Sequence, residues 1–202
     1  INLTIEGNLV SKPYLDATIA TMRKFGVSVQ TLIPYKRYNI PPQVYKESVF
    51  TVPIDFSSLA LLLSSAVLNG EDMIIEGSLG DLPQGDEVFI DILEQMGVDV
   101  TIDDEKIKVK SPEKLKGGKF DLSNSPDLLP PLSILALNSS EPIEIFNVKH
   151  ARLKETDRIE LAPAKKANAW IPSLILSLPA ESLTKLLGIQ ILAIAIILIN
   201  SK

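Results

Sequence analysis

Leu93-Glu94-Gln95-Met96-Gly97-Val98-Asp99-Val100 is the stretch that decides the fold. It closes an amphipathic helix pattern on a glycine and enters an alternating strand. Glycine tolerates the left-handed backbone that ends a helix, so helix, stop and strand are written in eight residues. The same passage occurs at Thr21-Met22-Arg23-Lys24-Phe25-Gly26-Val27-Ser28-Val29. A weaker copy stands at Lys165-Lys166-Ala167-Asn168-Ala169-Trp170-Ile171, with asparagine, the other residue suited to that cap, in place of glycine. Gly26, Gly97 and Asn168 are 71 residues apart at each step (97 − 26, 168 − 97). A fixed period of this size marks a repeated structural unit.

Reading outward from the three stops gives the unit. An apolar strand leads through a polar turn to an amphipathic helix, then to the stop, a two-strand hairpin and a second helix. The first unit predicts a strand at 3–5, a helix at 13–25 with Ser11 near its cap and Pro13 in its first turn, strands at 27–33 and 49–52, and a helix at 56–68 opened by Asp55. The second predicts strands at 73–76, 98–102, 106–110 and 120–122, with helices at 86–96 and 127–137, the latter despite Pro130 and Pro131. The third starts at Ile143 and reaches an apolar helix at 186–199. The fold class is therefore α/β (α+β), built from repeated βαβαββ-like units. One such unit cannot seal its own sheet, so copies must pack together.

Composition narrows the function. The chain has 202 residues, 46% hydrophobic and 22% charged, which is globular rather than disordered. A net charge of −5, with no basic run interleaved with aromatics, gives no support to nucleic-acid binding, and no nucleic-acid partner is expected. Cysteine is absent and histidine occurs once, which argues against disulfides, thiolate chemistry and a zinc site, so no metal or cofactor is expected. No signal-peptide pattern opens the sequence, and the cytoplasm is the expected compartment. The apolar run Leu186–Ile199 is shorter than the roughly 20 residues of a standard membrane span, so a buried helix and no membrane partner are expected.

The charge is concentrated in His150-Ala151-Arg152-Leu153-Lys154-Glu155-Thr156-Asp157-Arg158, which holds five ionisable side chains between Arg152 and Arg158. It follows a strand pattern and precedes a helix pattern. Unpaired backbone N–H groups and the positive end of the dipole favour anions at such a helix start. Arginine and lysine add the geometry that carboxylates and phosphates require, and Glu155 among them is a candidate proton carrier. The structural alternative is a salt-bridged helix start capped by Thr156.

Arg152-Leu-Lys-Glu-Thr-Asp-Arg-Ile159 resembles the signature of the EPSP synthases, the 3-phosphoshikimate 1-carboxyvinyltransferases. Ser11-Lys-Pro-Tyr-Leu-Asp16 and Ser125-Pro-Asp-Leu-Leu-Pro130 resemble two further motifs of that family, in family order and spacing. The repeat is also similar to the family fold, whose two domains are each built from three such units. The resemblance implies residues 1–54 as the last unit of an N-terminal domain and 55–202 as a C-terminal domain, both partial. It implies phosphoenolpyruvate and shikimate 3-phosphate as substrates, phosphate as leaving group, no cofactor and a monomer as the full-length enzyme. Carried over by motif, Asp127 matches the aspartate that holds the shikimate hydroxyl groups and serves as a base. Glu155 matches the glutamate that moves the proton on the methylene carbon, Lys154 a residue at the sugar-like substrate, and Arg158 an arginine on the phosphoenolpyruvate carboxylate. Ser11 and Tyr14 match contacts on the shikimate-phosphate side, and His150 falls where the family often has Asn or His. Each has a structural reading beside it: first-turn acid for Asp127, helix cap for Ser11, packing for Tyr14 and His150.

Two departures stand against the match. The Ser/Lys/Arg phosphate-binding segments of the family's N-terminal domain have no counterpart in these residues. Gly188-Ile-Gln-Ile-Leu-Ala-Ile-Ala195 stands where the family reads Gly-Asp-His-Arg-x-Ala-Met-Ala, so Ile189, Gln190 and Ile191 replace the acid, the histidine and the arginine. The related UDP-N-acetylglucosamine enolpyruvyl transferases are the enzyme alternative, against which Lys-Glu-Thr-Asp-Arg speaks. A non-catalytic remnant of the same fold that binds anions or a partner protein, and a tail-anchored membrane protein, are the alternatives outside enzymes.

Overall fold

The computed structural model describes residues 1–103 and 105–162. Two three-stranded antiparallel sheets share one plan. β1 (Asn2–Thr4), β2 (Gln30–Ile33) and β3 (Arg37–Asn39) lie in the order β1-β3-β2. β4 (Met73–Glu76), β5 (Asp99–Asp103) and β6 (Lys106–Lys110) lie in the order β4-β6-β5. A helix follows the first strand in each: α1 (Lys12–Lys24) in one and α3 (Val88–Gln95) in the other, the latter led in by a 3-10 turn at Gly85–Glu87. Both helices end on a left-handed glycine, Gly26 at φ 78° and Gly97 at φ 92°. Both stops carry the same bond: Val27 N–H to the Met22 carbonyl at 2.9 Å, and Val98 N–H to the Leu93 carbonyl at 3.0 Å. The spacing of 71 is thus the spacing of one built unit.

The chain then adds α2 (Phe56–Asn69), β7 (Gly118–Asp121), α4 (Leu129–Leu135), β8 (Ile143–Phe146) and α5 (Arg158–Leu161). β7 and β8 pair in parallel, with α4 in the connection between them. Pro130 and Pro131 sit in the first turn of α4, where their missing N–H groups leave no helix bond unmade. The main core gathers the apolar faces of α2, α3 and α4 with the inward side of β6. Leu63, Phe89, Leu93, Met96, Ile107, Leu122 and Leu132 are among its fully buried members. A second, small cluster of Ile19, Val29 and Tyr38 lies under the first sheet.

Several expectations shift. No strand forms at 49–52; Val49 and Val52 are exposed and have no partner strand beside them, and β-branched residues alone do not make a ladder. β3 was not legible because Arg37-Tyr38-Asn39 shows no apolar alternation; it is fixed instead by pairing on both sides and by burial of Tyr38. Ser11 stands at the cap of α1 with φ 55° but makes no side-chain cap bond. Thr156 is not the cap of α5 either. Asp157 is, its carboxylate accepting the Glu160 N–H at 3.0 Å, and a 3-10 turn at Lys149–Leu153 fills the approach. Asp55 does cap α2, accepting from Ser57 and Ser58 N–H at 3.1 and 3.3 Å. Asn168, the run at 186–199 and the departures at Ile189–Ile191 lie outside the described residues. Among the described residues no helix is long and apolar enough to cross a membrane.

Candidate functional site

Four chain turns that open helices meet at one place. The Ser11 N–H donates to the Ser123 carbonyl at 3.2 Å, and the Lys12 N–H to Asn124 Oδ1 at 3.4 Å, tying the start of α1 to the turn before α4. The Ser125 hydroxyl donates to the Gly85 carbonyl at 2.6 Å, tying that turn to the start of α3. Gln84 joins α2: its side chain accepts the Phe56 N–H at 3.1 Å and donates to the Ile54 carbonyl at 2.8 Å. The fit is tight at Gly85, where a Cβ would lie 2.6 Å from the Asn124 carbonyl oxygen and 3.1 Å from the Pro13 ring. Glycine is required there for space, because its backbone is otherwise ordinary.

Asp127 sits at the centre. Tyr14 Oη donates to its Oδ2 at 2.6 Å, Arg158 Nη1 donates to its Oδ1 at 2.5 Å, and Lys154 Nζ lies 3.3 Å from the same oxygen. Lys154 also stands 5.8 Å above the centre of the Tyr14 ring, close enough for a cation–π contact. The other arm of Arg158, Nη2, donates to Glu155 Oε2 at 2.8 Å. Arg152 is engaged elsewhere, with Asp157.

The electrostatics follow from these contacts. Burial acts to raise the Asp127 carboxyl, but the Tyr14 bond and the two cations outweigh it and hold the group below the usual aspartate range. Burial opposes the charge on Arg158 too, and Glu155 and Asp127 overcome it, so its guanidinium is held more firmly protonated than usual. Glu155 is lowered by its own backbone N–H and then by Arg158. Tyr14 is pushed up by burial, by its bond to Asp127 and by the charge of Asp86. The site is thus set with Asp127 and Glu155 ionised and Tyr14 neutral.

The structure brings five of the seven sequence candidates into one network: Asp127, Tyr14, Lys154, Glu155 and Arg158. Ser11 adjoins it through its backbone. His150 lies on the Lys149–Leu153 turn, which packs against the Pro126–Leu128 turn carrying Asp127; its Nε2 is buried without a hydrogen-bond partner. Among the described residues no group of three metal-ligating side chains converges. Two polar residues at the site were not foreseen. Asp86 is 3% exposed, and the Ser57 hydroxyl donates to its Oδ2. The available signal was the period: Asp86 stands 71 residues before Asp157 (157 − 86), at the matching helix start.

The sequence model of the EPSP synthase (3-phosphoshikimate 1-carboxyvinyltransferase) family matches residues 2–164. The chain belongs to the EPSP synthase family. A 3-phosphoshikimate 1-carboxyvinyltransferase of Nitrosopumilus maritimus is 80% identical over 161 residues, covering 80% of this chain and 38% of that protein. The enzyme of the same name from Methanosphaera stadtmanae is 36% identical over 175 residues, covering 85% of this chain and 41% of the relative. Among solved structures, EPSP synthase from Acinetobacter baumannii superposes with a TM-score of 0.62 at 27% identity, over 80% of this chain and 37% of that one. The enolpyruvyl transferase NikO from Streptomyces tendae, at 17% identity and a TM-score of 0.50 over 72% of this chain and 36% of that one, shares the fold. The chain thus spans about two fifths of the length of the curated family members it matches, and the family match ends before the departures at Ile189–Ile191.

Proposed function

We propose that this chain carries part of the site at which an enolpyruvyl group passes from phosphoenolpyruvate to shikimate 3-phosphate with release of phosphate, a step of aromatic amino acid biosynthesis in the cytoplasm. The observation that supports it most is the Asp127 network: one ionised carboxylate held by a phenol, a lysine and an arginine, with a second carboxylate on the far arm of the same arginine. Its parts suit that reaction. Asp127 is ionised and hydrogen-bonded, fit to accept a proton from a substrate hydroxyl. Lys154 and Arg158 supply the positive field that two anionic substrates need. Ser11, Tyr14 and His150 line the shikimate side in this reading.

The two bonds of Arg158 support a route for substrate entry. Its bond to Asp127 is largely buried, whereas Glu155 is 67% exposed. An exposed ion pair contributes little, so an incoming carboxylate displaces Glu155 from Nη2 while Nη1 stays on Asp127. Glu155 is then released beside the bound enolpyruvyl group, where its proton transfer is needed. Substrate binding and freeing of the acid–base group are one exchange of partners.

The test is phosphate release from phosphoenolpyruvate plus shikimate 3-phosphate by the chain in its full coding context. Glu155→Gln keeps shape and hydrogen bonding and is expected to lower kcat by about 10²-fold or more with a smaller change in KM. Arg158→Ala is expected chiefly to raise KM for phosphoenolpyruvate, and Arg158→Lys not to restore it, since an ammonium lacks the two-armed geometry. The 202 residues alone are expected to show no turnover. Phosphate release that does not depend on shikimate 3-phosphate would sink this reading.

A further inference from the structure

Asp86 has an unmet need. It is buried, one oxygen accepts from Ser57, and the other, Oδ1, is buried with no partner. An ionised carboxylate in that position carries a desolvation cost that a single hydroxyl does not offset. The groups that face it come from four elements: Tyr14 from α1, Ser57 and Asp55 from the start of α2, Asp127 from the turn before α4, and Lys154 from the turn before α5. Burial raises its proton affinity most, the repulsion of Asp127 and Asp55 adds to it, and Ser57 and Lys154 oppose, leaving its carboxyl at about 6. The Ser57 hydroxyl also acts on the Tyr14 phenol, holding its proton affinity down against burial and the two aspartates. Asp86, Ser57, Tyr14 and Asp127 therefore form one line of polar groups.

We propose that Asp86 is a positioning residue for this site, acting through the Ser57 hydroxyl and the Tyr14 phenol on the orientation and charge of Asp127. Ser57 and Tyr14 have one proton each, so their bond directions are linked. With Asp86 ionised, Ser57 donates to Asp86 and Tyr14 donates to Asp127. With Asp86 protonated, its own O–H donates to Ser57, which turns its proton to the Tyr14 oxygen and polarises the Tyr14 bond to Asp127. The influence is reciprocal: a proton taken up by Asp127 removes the charge that repels the Asp86 anion, and Asp86 ionises more readily. The two carboxyls share a charge across two hydroxyls, which keeps the base charged when the site is empty and lets it hold a proton during the reaction. That last consequence rests on the function proposed above; the coupling itself does not.

The test needs no substrate. The 202-residue chain, with 13C in its aspartate carboxyls and tyrosine rings, is titrated by NMR from about pH 4 to pH 8. Asp86 is expected to titrate near pH 6, with the Tyr14 and Asp127 signals moving in the same step. Asp86→Asn is expected to abolish that step at both. Ser57→Ala is expected to leave Asp86 titrating and remove most of the response at Tyr14 and Asp127, and Ser57→Thr, which keeps the hydroxyl, to retain it. Retained dispersion of the amide spectrum shows that each variant folds. A step that persists at Tyr14 and Asp127 in Asp86→Asn overturns the proposal, as does an Asp86 that titrates as an ordinary aspartate near ~4. Coupling present without phosphate release in the full coding context overturns the functional reading and leaves this one standing; the reverse outcome does the opposite.

Discussion

Asp127, half-buried, and Asp86, buried, are two acids in one site with opposite settings, and the reasons are depth of burial and then partner count. Asp127 has a phenol and two cations, and is lowered; Asp86 has one hydroxyl and two acidic neighbours, and is raised. The cations of Asp127 were legible because they lie within one charged stretch, and Asp127 itself follows a Ser-Pro turn. The pair of Asp86 and Ser57 was not, because a partner 29 residues away on another helix leaves no local pattern. The raised group has a measurable signature. Its folded form holds its proton up to about pH 6 while the unfolded aspartate loses it near ~3.9, so the folded state binds more protons between those values. Stability from this group is therefore fully present below about pH 4 and is lost as pH rises to about 6. Asp86→Asn removes the loss. Thermal melts are expected to show the variant gaining on the parent across that window by on the order of 2–3 kcal/mol and holding the gain above it. A gain that grows toward acid instead would contradict the buried-acid description.

At the scale of elements, helix stops were easier to read than helix starts. A stop needs a left-handed backbone, and Gly26 and Gly97 announce it. A start is a competition among nearby oxygens: Asp157 wins over Thr156, and Ser11 is held by its backbone rather than its hydroxyl. The starts matter more, since they carry the site. Gly85→Ala tests how tightly they are joined. The added methyl would press on the Asn124 carbonyl and the Pro13 ring, and backbone cannot yield as a flexible side chain does. A loss of ~1–3 kcal/mol is expected in urea unfolding. If phosphate release in the full coding context falls with it, the Tyr14–Asp127 bond depends on this junction. Asp55→Ala is the control at the same junction. It removes a cap from α2 without pushing elements apart, and is expected to cost ~1 kcal/mol.

For the whole molecule, the unequal size of the two cores sets the dynamics. The larger joins α2, α3, α4 and two sheets, whereas the first sheet rests on Ile19, Val29 and Tyr38 with a few half-buried neighbours. Ile1, Leu32 and Ile33 of that sheet region remain exposed. The period made the unit legible in sequence, but not this imbalance, which depends on how many copies pack together. We propose that residues 1–54 belong with units of a separate domain and are held here chiefly by polar ties: Ser11, Lys12 and Tyr14 to the Ser123–Asp127 turn, Lys24 to Asp81, and Ile54 to Ser78 and Gln84. Few buried contacts mean low-energy local opening. Amide exchange of β1–β3 in the 202-residue chain is accordingly expected to run roughly 10²-fold faster than in α2, α4 and β6, a difference of a few kcal/mol in opening free energy. In the full coding context the first sheet is expected to gain protection while α2 and β6 change little, because the added units would cover only the former. Uniform protection throughout the isolated chain, or a gain shared equally by both regions, would mean that the described residues form one cooperative body and that no boundary falls near Ile54.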